Sequence, residues 1–158
     1  MKVMIQMKLK LFISMTLMLC FYALAHSQSM NVLNYVNELG DKKQASFGDA
    51  VKLIVLDMGE NTSGFESDLS VLNARNKIAA GYSLSENAPL RKGVVARLIA
   101  RYLRLTDSLV YNIFGTERYA FRACVAADIM IADGSEWDYV SGEELLEIMR
   151  RVAVISGI

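Results

Sequence analysis

Arg97, Arg101 and Arg104 stand at i, i+4 and i+7, the spacing that puts three side chains on one stripe of a helix. Arg91 and Lys92 precede them in the first turn of the same segment. An arginine fork holds a carboxylate or phosphate through two parallel hydrogen bonds, so this face suits an envelope polymer, a lipid headgroup or an acidic protein partner. It equally suits a solvated surface paired to acids such as Glu117 or Asp107, which is the commoner use of surface charge. Both readings stand at this level.

Other reactive side chains offer less. Cys124 lies among alanines, where a small buried thiol packs as a hydrophobe rather than as a nucleophile. The run Asp133-Gly134-Ser135-Glu136-Trp137-Asp138 has an acidic turn, but an EF-hand register would place Ile129, Ile131 and Val140 where oxygen ligands belong. Glu143 and Glu144 are accounted for by the first turn of a helix, where negative charge offsets the dipole. No pair of carboxylates stands out as a glycosidase pair, and no glycine-rich phosphate loop is present. Trp137 and Tyr139 either cover the core or offer binding aromatics, and core cover is the commoner use. No cofactor and no metal are expected.

The histidine chemistry is settled at the N-terminus. The chain's one histidine, His26, closes a segment with Lys2, Lys8 and Lys10, an apolar run Leu11 to Ala25, and then Ala25-His26-Ser27. A basic start, about 15 apolar residues and small residues near a cut are the pattern of a secretory signal peptide. The run is short for a bilayer span of roughly 20 residues and lacks a basic stop-transfer flank. Cleavage is expected after Ser27, with Ala25 as a second site. An uncleaved anchor or lipidation at Cys20 are the alternatives, and a membrane contact would come only through such a leader. Removal leaves 131 of 158 residues, with 14 Lys and Arg against 17 Asp and Glu, a net charge of −3. Histidine-based triads and histidine-ligated zinc are then excluded, and Cys124 has no partner for an intrachain disulfide. Neither the charge nor the exported location, whether periplasmic, cell-surface or secreted, calls for nucleic acid.

The elements that position these residues read as helices. Residues 28–45 form a lead-in or short helix ending near Gly40, and residues 46–158 form one helical domain. Phe47, Ala50, Val51, Ile54, Val55 and Met58 follow helical spacing up to Gly59. A short helix is expected over Ser67 to Asn76, and another opening at Pro89 with Leu90, Val94, Val95, Leu98, Ile99 and Tyr102 on its apolar face. Thr106 or Asp107 caps a short helix that Gly115 ends, and a further helix covers Arg118 to Ile131. Ala120, Ala123, Cys124 and Ala127 give that helix a face that permits close approach. Ser141-Gly142-Glu143-Glu144 opens the last as a capping box. No convincing period-2 segment is present, so the expected fold is an all-α bundle of five to six helices.

Two segments about 50 residues apart are alike: Leu90 falls on Val140, Val95 on Leu145, Leu98 on Ile148 and Arg101 on Arg151. Each is a helix, a glycine-containing loop and a second helix. With Phe47-Gly48-Asp49-Ala50, the turns at Ile78 to Gly81 and Ile129 to Gly134, and Lys92 and Glu144 at two charged positions of the family motif, the chain weakly resembles S-layer homology repeats over residues 46–154. The resemblance implies paired helical repeats. It also implies a module that anchors to anionic cell-wall polymer, although most of the motif arginines are missing. The expectation is an exported, non-enzymatic domain that binds an envelope component or partner protein through Arg91, Lys92, Arg97, Arg101 and Arg104. A structural subunit of an envelope assembly and a small exported enzyme that uses carboxylates are the alternatives.

Overall fold

Ser46 starts a helix because its hydroxyl accepts from the Asp49 amide at 3.2 Å while the Asp49 carboxylate accepts from the Ser46 amide at 2.9 Å. Two backbone donors that a helix start would strand are thereby satisfied reciprocally. The apolar spacing that follows carries the helix from Phe47 to Asp57, and Gly59, at a φ of 73°, lets the chain turn off its end.

The computed structural model describes residues 31–75, 78, 84–105 and 116–157, and among them the fold is all-α with six helices. These are α1 (31–40), α2 (Phe47–Asp57), α3 (Phe65–Ala74), α4 (Lys92–Tyr102), α5 (Glu117–Ala126) and α6 (Gly142–Ser156). The chain divides into two units, one ending at Glu38 and one running from Leu39 to Ile158; α2 to α6 belong to the second. There α2 packs against α3, α4 and α6, and α4 packs against α5. Residues 1–30, with the expected leader, and the Thr106 to Gly115 segment lie outside the described residues. No described helix is long and apolar enough to cross a membrane.

The three central helices, α2, α4 and α6, are joined at both ends. At their starts, the Ala45 amide donates to the Val140 carbonyl at 2.8 Å, Val140 to Leu90 at 2.9 Å, and Leu90 to Ala45 at 2.9 Å. This closed ring of three backbone hydrogen bonds is buried, and burial demands that each peptide group find a partner. One step outward, Phe47 donates to Ala88, Lys92 to Asp138 and Gly142 to Lys42, at 2.8, 2.8 and 2.9 Å. The loop leading to one helix thus accepts from the first amide of another. At the far end, the Tyr102 hydroxyl donates to Asp57 at 2.6 Å and the Ser156 hydroxyl reaches the same oxygen at 3.4 Å. Burial and then the Asp57 carboxylate push the Tyr102 phenol above its ordinary range.

Side chains from these helices fill the space between the two ends. Phe47, Val51 and Ile54 of α2, Val95 and Ile99 of α4, and Leu145 and Val152 of α6 are buried. The Leu90–Val140, Val95–Leu145 and Leu98–Ile148 equivalences all fall on buried positions. Ala45, Ala50 and Leu53 occupy a third set, so the described structure has three comparable helix starts where the sequence suggests two. The small face of α5 also works as expected: Cys124 donates its thiol to the Ala96 carbonyl of α4 at 3.5 Å. Burial pushes that thiol up to about 12, which suits packing rather than reactivity.

α3 lies two residues earlier than expected, at Phe65–Ala74, and two further boundaries differ for visible reasons. Pro89 does not open α4; it pairs with Ser46 in an isolated bridge, and Arg91 is the residue preceding the helix. α5 stops at Ala126, short of Ile131, because Asp128 adopts a left-handed φ of 56° and the chain turns to bury Ile129 and Met130. Aspartate tolerates that conformation better than most non-glycine residues.

Candidate functional site

Arg91 holds the position from which Ser46 and Ser141 cap their helices, yet it makes no side-chain cap. Its guanidinium lies over the Trp137 ring, 5.1 Å from the centroid. Trp137 is 62% exposed and Tyr139, which bridges to Arg91 through the backbone, is 58% exposed, so neither covers the core. An exposed tryptophan under a guanidinium is a flat, polar-edged surface rather than a plug.

The pair forms one side of an open groove of about 620 Å³. Arg97 of α4, Glu117 and Arg118 of α5 with Thr116 before it, and Glu136 of the loop line the rest. Three segments far apart in sequence therefore converge, bringing three arginines, two glutamates and the chain's one tryptophan together. Gly93 lets them close. A Cβ there would stand 3.0 Å from the Glu136 carbonyl oxygen and 2.8 Å from the Glu117 Cβ.

The other expected site residues have different positions. Lys92 is 6% exposed, and its ammonium meets Asp133 at 2.8 Å and Glu144 at 3.1 Å. Burial pulls its pKa down, but the two carboxylates more than offset this and hold it above the ordinary lysine value. Arg101 is exposed near the end of α4. Arg104 lies past that end, at a φ of 52°, so the helical stripe stops before it. Neither Arg101 nor Arg104 lines the groove. Arg118 and Glu136 were not anticipated, and Glu117 was anticipated only as an acid that pairs with the arginine stripe. The one local signal was Arg91 itself, a poor capping residue at a helix start.

A second, smaller hollow of about 280 Å³ lies along α6, with Asp133, Glu143, Glu144, Glu147 and Arg151 around Ile129, Ile131 and Ile148. Its carboxylates are largely committed. Glu147 accepts from Arg150 at 2.7 Å and from Arg151 at 2.9 Å, which hold it down to about 2. Hydrogen bonds from Lys92 likewise hold Asp133 below its ordinary value. Acid catalysis at neutral pH needs a carboxyl held high, and every carboxylate with a displaced pKa among the described residues is displaced downward. Among the described residues, no group of three or more histidine, cysteine or acidic side chains is placed to hold a metal.

The fold and groove together give an all-α domain built on a ring of three helix starts, with an open groove at one of the junctions. No family model, no curated protein and no solved structure matches the chain.

Proposed function

We propose that the protein is an exported, non-enzymatic module that binds an anionic polymer of the cell envelope in the groove between α4, α5 and the 132–140 loop. The observation that carries this reading is the exposed Trp137 ring stacked with Arg91 and flanked by Arg97 and Arg118. A flat aromatic surface supplies contact area with little loss of conformational freedom, and guanidinium forks supply the charge match. Glu117 and Glu136 add acceptors for neutral hydroxyls beside the anionic group. The leader pattern supports delivery to the envelope.

The resemblance to S-layer homology repeats, read from the sequence, points to the same kind of ligand. Lys92 and Glu144, the two charges held in common with that family's motif, are paired with each other here. Recognition therefore falls to Arg91, Arg97 and Arg118 instead.

Titration of the chain with purified envelope polymer, followed by Trp137 fluorescence, tests the proposal. Saturable quenching or enhancement is expected, with affinity lost in Arg91→Glu and Arg118→Glu and falling as salt rises. An unchanged spectrum with no co-sedimentation would overturn it. Mass spectrometry of the protein from its native source should find Gln28 as the first residue.

A further inference from the structure

Lys92 is a buried cation one residue from the groove, and it grips the Trp137 loop at two separated points. Its backbone amide donates to the Asp138 carbonyl at 2.8 Å, just beyond Trp137. Its ammonium donates to the Asp133 carboxylate at 2.8 Å and the Asp133 carbonyl at 3.2 Å, at the start of the same loop. Between those points, Gly93 donates to Glu136 at 2.8 Å, and the Asp138 carboxylate accepts from the Ser135 amide at 2.7 Å. Loop residues 133–138 are thus held at both ends by the first turn of α4, with Trp137 at the exposed tip.

Stability alone is a weak reason to bury an ammonium. A well-packed apolar residue often serves as well as a buried ion pair, because desolvation consumes much of the Coulombic gain. The two carboxylates that hold Lys92 also differ in consequence. Asp133 belongs to the loop, whereas Glu144 belongs to the first turn of α6, which Ser141 already caps through the Glu144 amide at 3.1 Å.

We infer that Lys92 is a positioning residue: it clamps the 133–138 loop and so holds the Trp137 ring against Arg91, without touching the ligand itself. The binding consequence rests on the function proposed above; the clamp does not. A platform held in place before binding loses less freedom when the ligand arrives.

The single tryptophan makes the clamp measurable without any ligand. Lys92→Met keeps the aliphatic stem and removes the ammonium. Its Trp137 anisotropy should fall, while Lys92→Arg restores most of it. Polymer affinity should fall about tenfold alongside, about 1.4 kcal/mol. Glu144→Gln should lower thermal stability and leave Trp137 anisotropy at the wild-type value, because the Asp133 contacts remain. Should Lys92→Met fail to fold, Asp133→Ala against Glu144→Gln decides: only the former should loosen Trp137. Equal anisotropy changes in those two variants, or wild-type anisotropy in a folded Lys92→Met, would overturn the inference. Wild-type chain that binds no polymer, with the anisotropy pattern intact, would overturn the proposed function and leave the clamp standing.

Discussion

The junction before α4 and the junction before α2 have the same backbone and opposite chemistry. In one, Lys92 and Gly93 donate to Asp138 and Glu136; in the other, Phe47 and Gly48 donate to Ala88 and Glu86, all at 2.8–2.9 Å. Counting back along each accepting loop, Glu136 corresponds to Glu86 and Trp137 to Asn87. At the helix starts, Arg91 corresponds to Ser46. The Ser46 side builds a complete cap, with Asp49 also bound by Lys42 at 2.8 Å. The Arg91 side gives up the side-chain cap and gains an exposed aromatic–guanidinium pair. A foregone cap costs about 1 kcal/mol. Under the proposed function, a helix start that departs from the local rule where a groove opens would serve binding rather than stability.

The junction before α6 also carries a glycine, one position earlier than Gly48 and Gly93, and breaking it should have the largest effect. A Cβ at Gly142 would stand 1.7 Å from the Leu39 carbonyl oxygen, whereas at Gly48 it would stand 3.1 Å from that of Glu86. Gly142→Ala should therefore lose about 3 kcal/mol or more in urea unfolding, and Gly48→Ala and Gly93→Ala roughly 1–2 kcal/mol each. Equal losses at all three would mean that the closeness of the facing carbonyl does not set the cost.

The capped side should be the one sensitive to acid. Burial pushes the Asp49 carboxyl up, but hydrogen bonds from Lys42 and Ser46 more than offset this and hold it below 3.8. The stability it contributes is thus complete above that value and is lost as pH falls through the lowered one. Asp49→Asn should cost about 2 kcal/mol at neutral pH and flatten the acid limb of a stability–pH curve. At the junction before α4 the equivalent position is Val94, and Val94→Ala should leave that limb unchanged.

Trp137→Ala should cut polymer affinity about tenfold, with stability moved by no more than about 0.5 kcal/mol. Asn87→Ala at the corresponding place should change neither, as calorimetric titration and melting would show. The smallest change is the most pointed: Arg91→Ser should raise stability by about 0.5–1 kcal/mol by installing the missing cap. It should weaken binding at the same time. A gain in both would remove the argument that Arg91 is kept for the groove.

Much of the fold was legible because helices are local. The spacing from Phe47 to Met58 anticipated α2 almost to the residue, and Ser141 caps α6 through the Glu144 amide. The reciprocal half of the expected capping box does not form, because the Glu144 carboxylate turns to Lys92. The third helix start was not legible, since Ala45, Ala50 and Leu53 resemble their counterparts only once the ring hydrogen bonds align them. The break at Asp128 was hidden for a similar reason: no glycine or proline announces it, and burial of Ile129 and Met130 accompanies it. Half of the candidate site was legible. Arg91 and Arg97 line the groove, but Arg118, Glu117 and Glu136 arrive from two other segments, and Trp137 points to solvent where core cover was expected.

Sequence by itself determined the basic–apolar N-terminal pattern, the helical periodicity and the supply of arginines, all properties of neighbouring residues. Only the tertiary structure decided how that charge is used. Arg91 and Lys92 are adjacent and equally basic, yet one lies over an exposed ring and the other is buried between Asp133 and Glu144. A helix start turns successive side chains in different directions, and what each direction meets is set by segments some 40 to 50 residues away.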